Sequence, residues 1–218
     1  MERNVTLEEI SDGKRYDSND IVRAGCSDCK GCSDCCRGMG DSIVLDPYDL
    51  YRLQTGIGKT FEQLLTEGRI ELSVVEGIIL PHLTMTKETD ACSFLDGEGR
   101  CSIHDLRPGI CRLFPLGRIY EENSFKYFLQ VHECSNKNRT KVKVKKWVDT
   151  PNLEAYERYI CKWHYFLKGI TAKLTDETLK KVNMLILNYF FVKTYDTSDF
   201  YVQFEERFDE VNKILGES

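Results

Sequence analysis

The sequence predicts an α+β fold: a small cysteine-rich domain with short strands, followed by a C-terminal helical segment. Three observations predict it. Five of the ten cysteines fall between Cys26 and Cys36. Short apolar runs bounded by turn residues fill the chain to about residue 148. Beyond Pro151, apolar residues recur three and four apart, the period of a helix. The expected organisation is a domain at 1–148 and a helical segment at 149–218 packed on it.

The first 25 residues are polar, with one short strand expected. Cys26 to Gly40 has almost no apolar side chain apart from sulfur and Met39, so hydrophobic burial cannot order it. Ile43-Val44-Leu45 reads as a short strand. Asp46 then caps a helix with Pro47 at its first position, and Gly56 is expected to end it. Thr60 caps a second short helix carrying Phe61, Leu64 and Leu65. Arg69 to Val75 and Ile78 to Met85 read as strands around Glu76-Gly77. Asp96-Gly97-Glu98-Gly99 is a turn, and Arg118 to Tyr120 with Lys126 to Val131 form a further hairpin. The alternation Lys141-Val142-Lys143-Val144-Lys145-Lys146 reads as an exposed edge strand protected by lysines. About three helices follow, marked by Leu153/Tyr156/Tyr159/Ile160, by Leu179/Val182/Leu185/Ile186 and by Phe204/Phe208/Val211/Leu215. Their aromatic residues are read as core.

Composition bounds the function. The chain has 218 residues, enough for one ordinary domain with an appended helical piece. Lys plus Arg is 30 and Asp plus Glu is 35, so the net charge of −5 argues against general nucleic-acid binding. At 41% hydrophobic and 30% charged it is neither disordered nor collagen-like. No apolar run approaches the roughly 20 residues of a membrane span. Met1-Glu2-Arg3-Asn4-Val5 lacks the apolar core of an export signal, so the expected compartment is the cytoplasm. Disulfides do not persist there, and crowded thiols are expected to be metal ligands.

The spacing sharpens this. Cys26, Cys29, Cys32 and Cys35 are each separated by two residues, and Cys36 follows directly. Zinc sites usually take two ligands from one knuckle and two from another. Three successive two-residue gaps instead approach the run around [4Fe–4S] clusters, which Cys26, Cys29, Cys32 and Cys36 fit, with Arg37 where that run has proline. Spacing therefore tilts the reading to an iron–sulfur cluster, with zinc as the alternative. Cys92, Cys101, His104, Cys111 and Cys134 supply further donors, either completing one site or building a second. Adjacent Cys35 and Cys36 do not easily face one ion together, which favours two centres.

Cys29-x2-Cys32-x2-Cys35-Cys36, Asp46-Pro47-x-Asp49-Leu50, Cys92-x-Phe94-Leu95, Cys101-x-Ile103 and Arg107-Pro108-x2-Cys111-Arg112-x-Phe114-Pro115 together resemble the CxxCxxCC, or YkgJ-type, cysteine-cluster family. The resemblance runs from about Cys26 to Cys134. It implies a zinc- or iron-chelating domain with Cys29, Cys32, Cys35, Cys36, Cys92, Cys101, Cys111 and Cys134 as ligands. Cys26 is additional, and His104 stands where many members are expected to have tyrosine. The domain is distantly similar to one in flagellin lysine-N-methylases. That similarity implies an iron–sulfur-dependent modifying enzyme, such as a protein lysine N-methyltransferase using S-adenosylmethionine, acting on a protein or small-molecule substrate. No glycine-rich Rossmann-type segment accompanies it. The rival readings are a non-catalytic zinc-stapled interaction module and a metal chaperone or sensor.

Other candidates are weaker. Gly56-Ile57-Gly58-Lys59-Thr60 lacks the earlier glycine of a phosphate loop, and a helix stop followed by a cap explains it. Arg107 and Arg112 flank Cys111 and are candidate contacts to a bound cofactor or anion, against a structural role in holding the loop. His132 and Cys134 would share a face on a strand. Cys161 and His164, three apart on a helix, read as packing.

Overall fold

The computed structural model describes residues 6–26, 32–172 and 176–216. Helix α1 (Leu7–Ile10) precedes strand β1 (Ile21–Gly25), and the cysteine run then ends in a 3-10 turn at Asp34–Cys36. Helix α2 (Pro47–Ile57) begins with a reciprocal cap. The Asp46 carboxylate accepts from the Asp49 amide, and the Asp49 carboxylate accepts from the Asp46 amide. The helix runs past Gly56 and stops at Gly58, whose φ of 68° is the left-handed conformation that closes a helix. Gly56 instead makes room for a neighbouring loop. A Cβ there would come within 2.3 Å of Leu106 Cδ1, so glycine allows that loop to lie on the helix. Thr60 caps helix α3 (Phe61–Thr66), confirming the stop-and-cap reading of this stretch.

Strands β2 (Ile70–Val75) and β3 (Ile78–Leu83) pair antiparallel, with Ile70 opposite Leu83 and Val75 opposite Ile78. Residues 43–45 run along the other edge of β3: the Leu45 amide donates to Pro81 O at 2.8 Å, and the Leu83 amide to Ile43 O at 3.0 Å. Helix α4 (Gly109–Leu113) leads into the antiparallel pair β4 (Leu116–Glu121) and β5 (Ser124–Leu129). Strand β6 (Thr140–Lys143) returns to pair with β1, Ile21 opposite Lys143 and Val22 opposite Val142.

The lysine–valine alternation does not remain a strand to Lys146. It stops at Lys143, and helix α5 (Val144–Val148) follows. Val144 and Val148 stand four apart on one helix face and are both buried, while Lys146, which a strand would turn to that same face between them, stays exposed. His132 takes a φ of 69° and lies outside any strand, so the strand condition under which it would share a face with Cys134 is not met.

Helices α6 (Leu153–Thr171), α7 (Asp176–Leu187) and α8 (Phe200–Gly216) complete the chain, with a π-turn at Asn188–Val192 extending α7. The larger core joins Leu45, Leu50 and Leu53 to Tyr156, Phe190 and Phe204, so the aromatic helices are packed as core. A smaller core of Val22, Ala24, Leu116, Leu129, Val144 and Val148 lies beneath the β1–β6 pair. Among the described residues no helix is long and apolar enough to cross a membrane.

Arg207 ties α8 to the end of the π-turn. Its buried guanidinium donates to the carbonyls of Tyr189 (2.9 Å), Lys193 (2.5 Å) and Thr194 (2.7 Å) and lies 3.6 Å from the centre of the Tyr195 ring. These are carbonyls that a helix end leaves without donors. Arg207→Met is expected to cost about 3 kcal/mol, measured as a lower urea midpoint with unchanged slope.

Candidate metal centre

The described cysteines are all unbridged. They fall into two groups. In the first, Cys35 on the Asp34–Cys36 turn faces Cys92, Cys101 and Cys111, and each of these three thiols lies within the electrostatic reach of Cys35. Local backbone links assemble it. The Cys92 amide donates to Cys36 O at 2.8 Å, which ties the cysteine run to the segment after β3. Cys101 is brought back by the Asp96–Gly99 turn through a bridge to Leu95. Cys111 comes from α4. Cys36 shares a hydrogen bond with Cys35 and packs partly against the larger core.

The second group is Cys26, Cys32 and Cys134. The charge of Cys134 is opposed by those of the other two, and the three line one cavity of about 40 Å³ with Cys35, Phe114, Glu133 and Ser135. Cys26 follows the last residue of β1, and Cys32 Sγ lies 3.9 Å from Ser135 Oγ. Cys29, which falls between Cys26 and Cys32 in the chain, lies outside the described residues. Among the described residues, no three Cys, His, Asp or Glu side chains are gathered closely enough to hold a single ion as they stand. Cys161 is apart from both groups, buried in α6, and His164 stacks on Tyr120 with ring centres 3.6 Å apart.

In the first group, burial and mutual repulsion favour the protonated thiols. The bond to Cys36 raises Cys35, with burial and the Cys36 charge adding to it. Burial raises Cys92 and Cys101, and neighbouring thiols add to the rise. Cys111 is driven well up in the same sense, by burial and then by Cys92, Cys35 and Asp49. Arg107 works the other way, favouring the thiolates of Cys35 and Cys101. A multivalent cation among the sulfurs would reverse the balance and displace the protons.

This fixes a pH dependence. Thiols whose folded-state pKa is raised hold their protons after the unfolded chain, near the ordinary value of ~8.5, has begun to lose them. Metal-free protein is therefore expected to lose stability as pH rises from about 8 to about 10. Metal affinity should rise over the same range. Thermal melts and chelator competition at stepped pH read both.

Behind Cys111 lies a buried polar cluster that sequence reasoning treated only as a helix cap. Asp49 Oδ1 accepts from the Gly109 amide at 2.6 Å, pinning the first turn of the helix that carries Cys111. Asp46 Oδ1 accepts from the Tyr159 hydroxyl at 3.1 Å. Burial, and then the charge of Asp46, push Asp49 up to about 7. Burial also raises Asp46, while Arg118 and Arg112 oppose the rise. Gly109 permits the approach: a Cβ there would come within 2.3 Å of the Tyr156 hydroxyl. The available signal was the pair of acids three apart in Asp46-Pro47-x-Asp49, directly before an apolar helix.

The two candidate arginines separate. Arg107 donates to His104 O at 2.9 Å and sits beside the first thiol group. Arg112 is buried, donates to Thr150 Oγ1 at 2.9 Å and turns towards the buried carboxylates. A family model described as "Putative zinc- or iron-chelating domain" matches residues 28–135. No curated protein and no solved structure matches the chain.

Proposed function

We propose that this chain, whose residues 28–135 belong to the CxxCxxCC family, binds metal at two separate thiolate centres rather than one. The observation that carries the reading is the division of the cysteines. Cys35, Cys92, Cys101 and Cys111 form one donor set. Cys26, Cys32 and Cys134 form the core of another, with Cys29 as its fourth donor by position in the run. Both sets are all-sulfur, the donor chemistry of zinc and of iron–sulfur clusters.

We read the metal as [4Fe–4S]. In two-cluster ferredoxins the first three cysteines of the run serve one cluster and the fourth serves the other. A related partition supports the reading here, with Cys35 in place of Cys36 as the cysteine that leaves the run: Cys26, Cys29 and Cys32 with remote Cys134, and Cys35 with Cys92, Cys101 and Cys111. A cluster is also wider than one ion and accepts sulfurs held further apart, in keeping with the spacing of the described thiols. Such a cluster would supply one-electron redox chemistry. The chain's own residues provide the sulfur donors, the Arg107 charge beside them and the Asp49 anchor beneath Cys111.

Zinc is the second reading, favoured by the small size of the cavity at the second group. A methylating enzyme has less support. A groove of about 1110 Å³ between α6, α8 and the β4–β5 hairpin is lined by none of the described ligand candidates, so a methyl donor there would not touch them. Protein purified without oxygen is expected to be brown and to carry iron and acid-labile sulfide in equal amounts. Colourless protein with two zinc ions per chain would replace the cluster reading with the zinc one. A single metal centre per chain would overturn the two-centre proposal itself.

A further inference from the structure

The cationic stretch at residues 137–147 is used by neither thiolate centre except through Arg139, which stands near Cys134. It holds Lys137, Arg139, Lys141, Lys143, Lys145 and Lys146 and no acidic residue. The fold gathers its charges on one face. Lys141 and Lys143 point outward from β6, while Val142 turns inward from between them. Arg23 is exposed on the paired strand β1, and Lys145 and Lys146 are exposed on α5 directly after β6. Val22, Ala24, Val144 and Val148 beneath them are buried, so these positions are fixed by a packed core. Among the described residues no ion pair engages Arg23, Lys141, Lys143, Lys145 or Lys146.

We propose that the outer face of the β1–β6 ribbon, with the lysines of α5, is a contact surface for the phosphate backbone of nucleic acid. Three physical points select this partner. Protein–protein interfaces are depleted in lysine and enriched in aromatic residues and arginine, whereas this face is mostly lysine. Membrane-surface binding needs a broad apolar face beside the charges, and here Ile21 is the one exposed large apolar residue of the ribbon. A two-stranded ribbon is also narrow enough to enter a nucleic-acid groove. The net charge of −5 removes long-range attraction, but at physiological salt charges beyond ~8 Å are screened, so contact is decided by the local face. Backbone contacts carry no sequence information, so the binding is sequence-independent. The inference does not rest on the metal reading.

The test is fluorescence anisotropy of short labelled duplex DNA titrated with the whole protein, with polyglutamate and anionic phospholipid vesicles as competitors. With about five cations in contact, affinity is expected to fall at least about a hundredfold between about 50 and about 200 mM salt. Lys141→Glu with Lys143→Glu is expected to weaken binding at least tenfold and to flatten the salt slope by about two units, with an unchanged melting curve. Absence of binding at low salt, equal binding by a folded double variant, or displacement by polyglutamate or vesicles at lower concentration than by unlabelled DNA would each overturn the proposal.

Discussion

Cys111→Ser is expected to remove one of the two proposed metal centres and leave the other. Serine keeps the shape of the side chain but cannot supply a thiolate, so the set of Cys35, Cys92 and Cys101 is left one donor short. The centre proposed at Cys26, Cys32 and Cys134 takes no donor from α4 and is expected to retain its metal, although Cys35 lines the same cavity. Metal content per chain is expected to fall by half. Cys134→Ser should give the complementary half-loss, and the double variant should bind none. The stability effect is the largest expected for any single substitution here. Through a bound metal, Cys111 would tie α4 to the turn at Asp34–Cys36 and to the Asp96–Gly99 hairpin. Metal binding is folding free energy for such segments. A loss of at least about 3 kcal/mol is expected, seen as a melting midpoint lower by about 10 °C. If Cys111→Ser and Cys134→Ser each removed all the metal, the two groups would be one site.

Asp49→Ala is expected to be nearly as damaging, although Asp49 is not a ligand. Alanine leaves the Gly109 amide without its acceptor and leaves the buried Arg112 guanidinium without one of its two neighbouring carboxylates. Leaving a buried donor without its acceptor costs about 1–3 kcal/mol. It also frees the first turn of α4, so metal affinity at the first centre should fall about 10–100-fold, the usual effect of losing a residue that orients a ligand. Asp49→Asn separates the two roles. It keeps an acceptor for Gly109 and removes the ionisation. In the native protein the Asp49 carboxyl is raised to about 7, above its ordinary ~3.9, so its protonated form favours folding at low pH and that contribution is lost as pH rises through about 7. Asparagine has no such loss. The stability of Asp49→Asn relative to native protein should therefore improve from pH 5 to pH 8, as read by urea denaturation at the two pH values. A constant difference would show that the folded-state carboxyl does not titrate above its ordinary range.

Much of the local structure follows from short-range rules. The Asp46 cap with Pro47, the Thr60 cap and the Glu76-Gly77 turn are each decided within four residues, and each stands where the sequence places it. The helical periodicity beyond Pro151 identified the core residues Tyr156, Tyr159, Val182, Ile186, Phe204 and Val211, because one face of a helix must be buried wherever it packs. The misreadings fall where packing overrides a local signal. Gly56 looks like a helix stop but serves the approach of Leu106, and the Lys–Val alternation bends into a helix once Val144 and Val148 can both reach the core.

The sequence by itself determined that ten thiols are available, that five are crowded into eleven residues, and that their neighbourhood has too little apolar surface to fold without another source of order. Only the tertiary structure decided which thiols meet. Cys35 joins Cys92, Cys101 and Cys111, while Cys134 joins Cys26 and Cys32, and Asp49 reaches Gly109 across 60 positions of the chain. Spacing constrains only what a flexible segment can reach. Which distant segment it reaches is set by how β3, α4 and the β1–β6 ribbon pack on a common core, and that information is spread over every residue of the core.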